Sequence, residues 1–361
     1  MRAALRPFGP LLGLVATWVL FAALAGGTFT RWANQELMLL QTAVVGTAAV
    51  GATWIIVAGG IDLSVGSNIA LGTMAAAYVL RAGGGPLAAA LAALATGALV
   101  GFAIGALVVG ELVRVAASLA AALGAAFLAR GLGVLPCVGV ALAGAVAAWL
   151  ALRRLRFALP LSPFIVTLGL WGALRGLAKG LGDNQPIYPP STGWLANLMV
   201  VGKGGFFGLL PAGVWVLLLV ALLAALALRA TVFGRHAAAI GSNEETARLC
   251  GVRIERTKLG VYVLGSCCSG IAAVLQLSYL SMGDPTTAQG YELKTIAAAV
   301  IGGASLSGGE GSIGGTLVGA LIMTVVDNGC TKLGLDNWVQ EVVTGAIIVA
   351  AVALDRWRQR G

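Results

Sequence analysis

Apolar runs of about 18 or more residues, each long enough to cross a bilayer as a helix, recur from end to end of this sequence. No other feature constrains the fold as tightly. Of 361 residues, 59% are hydrophobic and only 10% are charged, a balance that no soluble domain of this length carries. The chain therefore reads as an all-α, polytopic transmembrane helical bundle with no appended soluble domain. Its net charge of +9 is first a topology signal. The basic residues are dispersed among loops rather than gathered on one face, which argues against nucleic acid as a partner.

The runs predict helices near 10–25, 37–57, 66–80, 86–109, 113–129, 134–152, 163–177, 209–228, 259–280, 292–301, 312–330 and 338–354. That is twelve crossings, the tenth short and broken. With the N-terminus in the cytoplasm, 15 of the 23 Lys and Arg fall on the inner side, from Arg2 and Arg6 through the 229–258 loop to Arg356, Arg358 and Arg360. This asymmetry places both termini inside. The first 25 residues imitate a secretory signal, with Ala23-Leu24-Ala25 as its cleavage site, but the many spans that follow favour a retained helix.

Two glycine-rich interruptions stand out. Gly59-Gly60-Ile61-Asp62-Leu63-Ser64-Val65-Gly66-Ser67 lies between two apolar runs. Paired glycines let the backbone turn where a continuous helix cannot. Ser64 has the chemistry of an N-cap for the helix that follows. A carboxylate at membrane depth must be buried in protein, paired, or set in a wet cavity. Asp62 thus marks either a broken helix inside the protein or a solvated cytoplasmic turn. The second interruption, Ile301 to Gly311, shares Gly-Gly-x-x-Leu-Ser-x-Gly with the first. Beyond it, Gly311, Gly315 and Gly319 recur every four residues, the spacing of closely packed membrane helices.

The longest basic inner loop runs over 229–258. Within it Ser242-Asn243-Glu244-Glu245 reads as a capping box, with Ser242 at the N-cap and Glu245 three residues on. Gly251 suits the position that ends a helix, and Glu244 and Arg248 are spaced to pair. A short helix over 243–250 follows, a handle for a partner protein or an interfacial loop drawn to anionic lipid by Arg235, Arg253 and Arg256. The five cysteines match no metal spacing. His236 has no co-ligand and reads as a solvated loop residue. Neither a phosphate-binding Gly-x-x-x-x-Gly-Lys-Ser/Thr loop nor a hydrolase arrangement is present. The chain is not read as an enzyme, and neither cofactor nor metal is expected.

Leu123-Gly124, five residues, then Arg130-Gly131-Leu132 recurs 45 residues later as Leu168-Gly169, five residues, then Arg175-Gly176-Leu177. The helices before each copy are Ala/Gly-rich and end in arginine. This reads as a duplicated helical hairpin, which leaves the orientation of everything downstream unchanged.

Taken together, four stretches resemble the permease subunits of bacterial ATP-binding-cassette importers for monosaccharides, of the ribose and xylose type. They are AGGIDLSVGS at 58–67, PFIVTLG with its following Arg-Gly-Leu and Gln185-Pro186, the stretch from Gly234 through AIGSNEETARLCGV, and GYEL with IGGASLSGGEGS within 290–316. The resemblance implies a ten-helix permease in the bacterial inner membrane that pairs as a dimer, with a cytoplasmic ATPase on one face and a periplasmic sugar-binding protein on the other. It implies a coupling helix within 234–252, to which Gly234, Arg235, Ser242, Asn243, Glu244, Glu245, Arg248 and Gly251 belong. The sequence departs from the pattern at 111–156, the extra hairpin, so the PFIVTLG role falls to the second copy. Asp62, Ser64, Asn68 and Thr167 are the expected polar groups of the substrate pathway, although Asn68 and Thr167 equally suit interhelical hydrogen bonding. The rival readings are an ion-coupled secondary transporter using Asp62, an importer permease for a non-sugar solute, and a membrane scaffold.

Overall fold

The computed structural model describes residues 8–129, 134–152, 159–200 and 210–359. The arginine-rich ends at Arg2, Arg6, Arg153, Arg154, Arg156 and Arg360, the first repeat's Arg130-Gly131-Leu132, and the expected helix start at Leu209 lie outside the described residues. Fifteen α-helices are described: α1 (Phe8–Ala25), α2 (Gly27–Thr30), α3 (Trp32–Val57), α4 (Val65–Arg81), α5 (Pro86–Val108), α6 (Leu112–Ala129), α7 (Val134–Ala151), α8 (Pro163–Leu181), α9 (Ala212–Ala230), α10 (Val232–Ser242), α11 (Glu244–Leu249), α12 (Ile254–Leu280), α13 (Tyr291–Ile301), α14 (Ile313–Lys332) and α15 (Asn337–Gln359). All twelve expected spans are helices. Six of the described helices, α3, α5, α8, α9, α12 and α14, are long and apolar enough to cross a membrane. No strand occurs among the described residues beyond an isolated bridge between Ile187 and Gly283.

α3 is the central post, buried along almost its whole length from Asn34 to Val57. Its small residues explain why. A Cβ on Gly51 would lie 2.3 Å from the Gly265 carbonyl of α12, so the two backbones touch. α12 meets α5 in the same way: Cβ atoms on Gly97 and Gly101 would each lie 2.4 Å from carbonyls of α12, and one on Gly105 would meet Leu259. These three glycines recur every four residues, a stripe that lets helices approach closely where lipid provides no hydrophobic drive. α14 packs on α13 through the expected glycines, with Gly315 against the Gly302 carbonyl and Gly319 against that of Ala298. Three rungs of buried side chains tie α3 to α14: Asn34 with Asn328, Thr42 with Thr324, and Thr53 with Thr316. They also fix the two helices as antiparallel. By contrast α1, α8 and α9 expose rows of leucine and valine, the surface expected against acyl chains.

α6 and α7 pack on each other and reach the bundle mainly through α5. Trp149 of α7 stands edge-on to Phe102 of α5, with ring centroids 4.9 Å apart. Arg114 pairs with Glu111 at 2.8 Å. The chain enters and leaves this pair of helices at one place, where the Leu159 N–H donates to the Gly110 carbonyl at 3.0 Å.

The 229–258 segment is helical for most of its length, which corrects the expected loop. Thr231 starts α10, its hydroxyl accepting from the Gly234 N–H at 3.1 Å. Gly234 turns the corner because a Cβ there would lie 2.1 Å from the Leu228 carbonyl. His236 is therefore a half-buried helical residue rather than a solvated loop residue.

Candidate functional site

α3 ends at Val57 in a Schellman turn. The Gly59 N–H bonds the Ile56 carbonyl and the Gly60 N–H that of Ile55, each at 2.9 Å. Gly59 takes φ +78°, which favours glycine. The chain then runs without helix to Ser64 and re-enters a helix at Val65. Gly60 lies against Tyr262, where a Cβ would come within 2.4 Å of the hydroxyl. Tyr262 is eight residues inside α12, about 12 Å at the helical rise. The interruption thus climbs into the bundle, and Asp62 is only 3% exposed. The solvated-turn reading of Asp62 is corrected: the carboxylate is buried in protein.

One oxygen of Asp62, Oδ1, accepts both the N–H of Ser64 at 2.8 Å and its hydroxyl at 2.6 Å. Oδ2 is buried and has no partner among the described residues. This also corrects Ser64. It occupies the N-cap position of α4 but makes no side-chain cap bond, because its hydroxyl is spent on Asp62. Asp62 itself instead sets its carboxyl at the start of α4. Ser67 and Asn68, in the first turn of α4, are fully buried, and the Ser67 hydroxyl and both amide atoms of Asn68 lack partners. The Thr167 hydroxyl donates to the Pro163 carbonyl at 2.9 Å and lies 3.4 Å from that of Ile61, so α8 leans on the interruption.

Three further residues join this cluster. Glu292, at the start of α13 and 7% exposed, accepts the indole N–H of Trp171 on Oε1. Its Oε2 is unpartnered and faces Gly66, where a Cβ would lie 2.6 Å away. Arg175 gives one amino group to the carbonyls of Pro285 at 2.9 Å and Thr287 at 2.6 Å and keeps the other, buried, without a partner. Glu292 is near enough to Asp62 for repulsion and to Arg175 for attraction. Thr167, Trp171 and Arg175 recur every four residues on one face of α8, the signal that sequence reading passed over. Glu292 stood in the quoted GYEL stretch but was read only as part of a motif. The starts of two interrupted helices, with unpaired polar groups between them, have the form of a transporter's internal site.

The second cluster lies at the other end of the interruption. Asn243 is extended (φ −160°, ψ 107°) and breaks α10 from α11. Its Oδ1 accepts the Thr246 N–H at 2.8 Å, so Asn243 is the N-cap. The expected box is corrected: Ser242 is the last residue of α10, and no bond joins it to Glu245. Gly251, at φ +83°, closes α11 in a Schellman motif, with its N–H on Arg248 and that of Val252 on Ala247. Val252 completes it by packing with Ile240, Ala247 and Ile254. Glu244 pairs with Arg248 at 3.5 Å and Lys258 at 2.6 Å, and Arg248 pairs with Glu255 at 2.8 Å. These carboxylates, Glu255 first, hold the Arg248 guanidinium above its ordinary pKa. Every residue of α11 except Ala247 is exposed, Glu244 and Glu245 included, and Leu249 is 84% exposed. Arg235 is exposed on α10.

Gly241 seats this unit on the bundle. A Cβ there would lie 1.9 Å from the Val57 carbonyl and 2.6 Å from the Gly309 nitrogen. Gly308 and Gly309, both with positive φ, pack on Gly241 and Ser242 in turn. Both Gly-Gly interruptions seen in the sequence thus converge on the root of α11.

A polytopic bundle with a broken-helix polar site and an exposed short helix on the interruption is the form of a membrane transport permease. Residues 109–352 match the family described as branched-chain amino acid transport system / permease component, and the chain belongs to that family. It is 35% identical to the ribose import permease protein RbsC of Bacillus subtilis (strain 168), over 98% of this chain and 93% of that one. It is 39% identical to the L-arabinose transport system permease protein AraH of Escherichia coli (strain K12), over 56% of this chain and 60% of that one. It is 29% identical to the D-allose transport system permease protein AlsC of the same strain, over 97% and 91%. No solved structure matches the chain.

Proposed function

We propose that this chain is the membrane-spanning subunit of an ATP-binding-cassette importer that carries a monosaccharide into the cytoplasm by alternating access. A separate cytoplasmic ATPase supplies the energy and a periplasmic sugar-binding protein delivers the solute. The full-length similarity to permeases named for ribose and allose carries the substrate class. The seating of exposed α11 against both helix interruptions supports the coupling role, with Asn243, Glu244, Glu245, Arg248 and Leu249 facing the ATPase. Asp62, Ser64, Asn68 and Thr167 belong to the pathway. Two copies pair, both termini are cytoplasmic, and the protein is a multi-pass component of the bacterial inner membrane. The 111–156 hairpin is an insertion in a ten-helix core. Two relatives are named for sugar transport systems and a third is named a probable ABC transporter permease protein, which favours ATP over an ion gradient at Asp62. The test is reconstitution in liposomes with the partner ATPase and binding protein. ATP-dependent uptake of D-ribose, L-arabinose, D-allose or D-xylose supports the reading. Uptake of leucine and of none of these sugars refutes it in favour of the solute in the family's description.

A further inference from the structure

We infer that Glu292, held by Trp171, is a hydroxyl-recognition group for the transported solute. The inference rests on the sugar-permease reading above and adds a site that reading does not assign. Glu292 Oε1 is fixed by the indole N–H of Trp171, while Oε2 is buried and unpartnered beside Gly66, whose missing side chain leaves it room. Asp62 repeats the pattern, with Oδ1 satisfied by Ser64 and Oδ2 free. Arg175, four residues along α8 from Trp171, keeps one buried amino group unpartnered, and next to Gly66 in the chain is the unpartnered hydroxyl of Ser67. Buried polar atoms without partners are costly, and each calls for a physical reason. Here the shared reason is a ligand that supplies both donors and acceptors. Two free carboxylate oxygens need donors, and a free guanidinium N–H needs an acceptor. A hydroxyl is both, so a polyhydroxylated solute satisfies the set. An aliphatic side chain satisfies none of them, whereas a hydroxyl can pair with each of these groups. Trp171, 40% exposed, adds an apolar body behind its polar tip. Asp62, Ser67 and Glu292 are shut from solvent in this conformation, so the solute reaches them only as the helices part.

The experiment uses the complete importer in liposomes and compares uptake of the sugar it carries, among D-ribose, L-arabinose, D-allose and D-xylose, with uptake of that sugar's monodeoxy analogues. The same binding protein serves every variant, so its preference is common to all measurements and only the change in the penalty is read. In the native importer, removing the hydroxyl held by Glu292 is expected to cost about 10- to 100-fold, the range for losing a hydrogen bond to a charged group. In Glu292→Gln, which still offers Trp171 an acceptor, that penalty shrinks toward unity. In Trp171→Phe, which keeps the apolar body and loses the N–H, it shrinks several-fold, and this variant decides the matter if Glu292→Gln fails to reach the membrane. Undiminished penalties for every analogue in the variants that insert would overturn the proposal and leave the sugar-permease reading standing. An importer that takes up none of the four sugars would overturn both.

Discussion

The backbone N–H of Gly309 donates to the carbonyl of Val57 at 2.9 Å, and Gly241 is wedged against both groups. The end of α3, the turn after α13 and the root of α11 are therefore one backbone-to-backbone joint. Gly241→Ala places a methyl group where the Val57 carbonyl lies, so the joint must open. Uptake is expected to fall at least about 10-fold, in keeping with the cost of overpacking a tight contact. Gly314→Ala, at a helical site whose nearest neighbour is 3.9 Å away, serves as the control and keeps native uptake. Equal uptake by the two variants would show that the joint transmits nothing.

The cap of α11 is testable residue by residue. Asn243→Ala removes the acceptor of the Thr246 N–H and should cost on the order of 1 kcal/mol locally. Ser242→Ala removes nothing that caps. Hydrogen exchange in α11 should quicken severalfold in the first variant and stay unchanged in the second.

Ala247→Pro removes the bond from the Ala247 N–H to the Asn243 carbonyl, in a helix of six residues. Membrane insertion is expected to survive, while substrate-stimulated ATP hydrolysis and uptake are lost. A role in lipid contact instead makes neutralisation of Arg253 and Arg256 the more damaging change. Assays of both variants with the ATPase separate the two.

Asp62→Asn keeps an acceptor for Ser64 and replaces the carboxyl at the start of α4 with an amide that cannot ionise. Uptake should drop while membrane abundance holds. Native uptake at native abundance would make the carboxyl irrelevant to transport.

Deleting 111–156 leaves two residues between Gly110 and Leu159, which already touch. With Cys250→Ser removing the exposed native thiol and Arg235→Cys introducing a reporter, a membrane-impermeant label should still react from the cytoplasmic side. Labelling from the periplasm would mean that the segment does not cross the membrane an even number of times.

The helix starts and ends were largely legible because apolar length, Pro163 at a first helical turn and Gly251 at a helix end are local signals. The break at Gly59 was legible for the same reason, but the burial of Asp62 was not, because Tyr262 and Glu292 come from 200 and 230 positions away. Asn243 displaced Ser242 because Ser242 is the last residue of α10, a helix the sequence reading did not anticipate. Asn and Ser cap about equally well, so only the end of α10 could decide between them. The Gly97, Gly101 and Gly105 stripe was overlooked in an Ala/Leu-rich run, where nothing local says which glycines face a neighbour. Glu292 was hidden in a similar way: a single acid in an apolar run acquires meaning only once Trp171 is seen to hold it.

The meeting of Gly110 and Leu159 makes the 111–156 segment a natural graft point. Any compact module whose two ends lie a few ångströms apart could be spliced there with the flanking helices left in register. A fluorescent or affinity module placed at this doorway would report on assembly of the transporter.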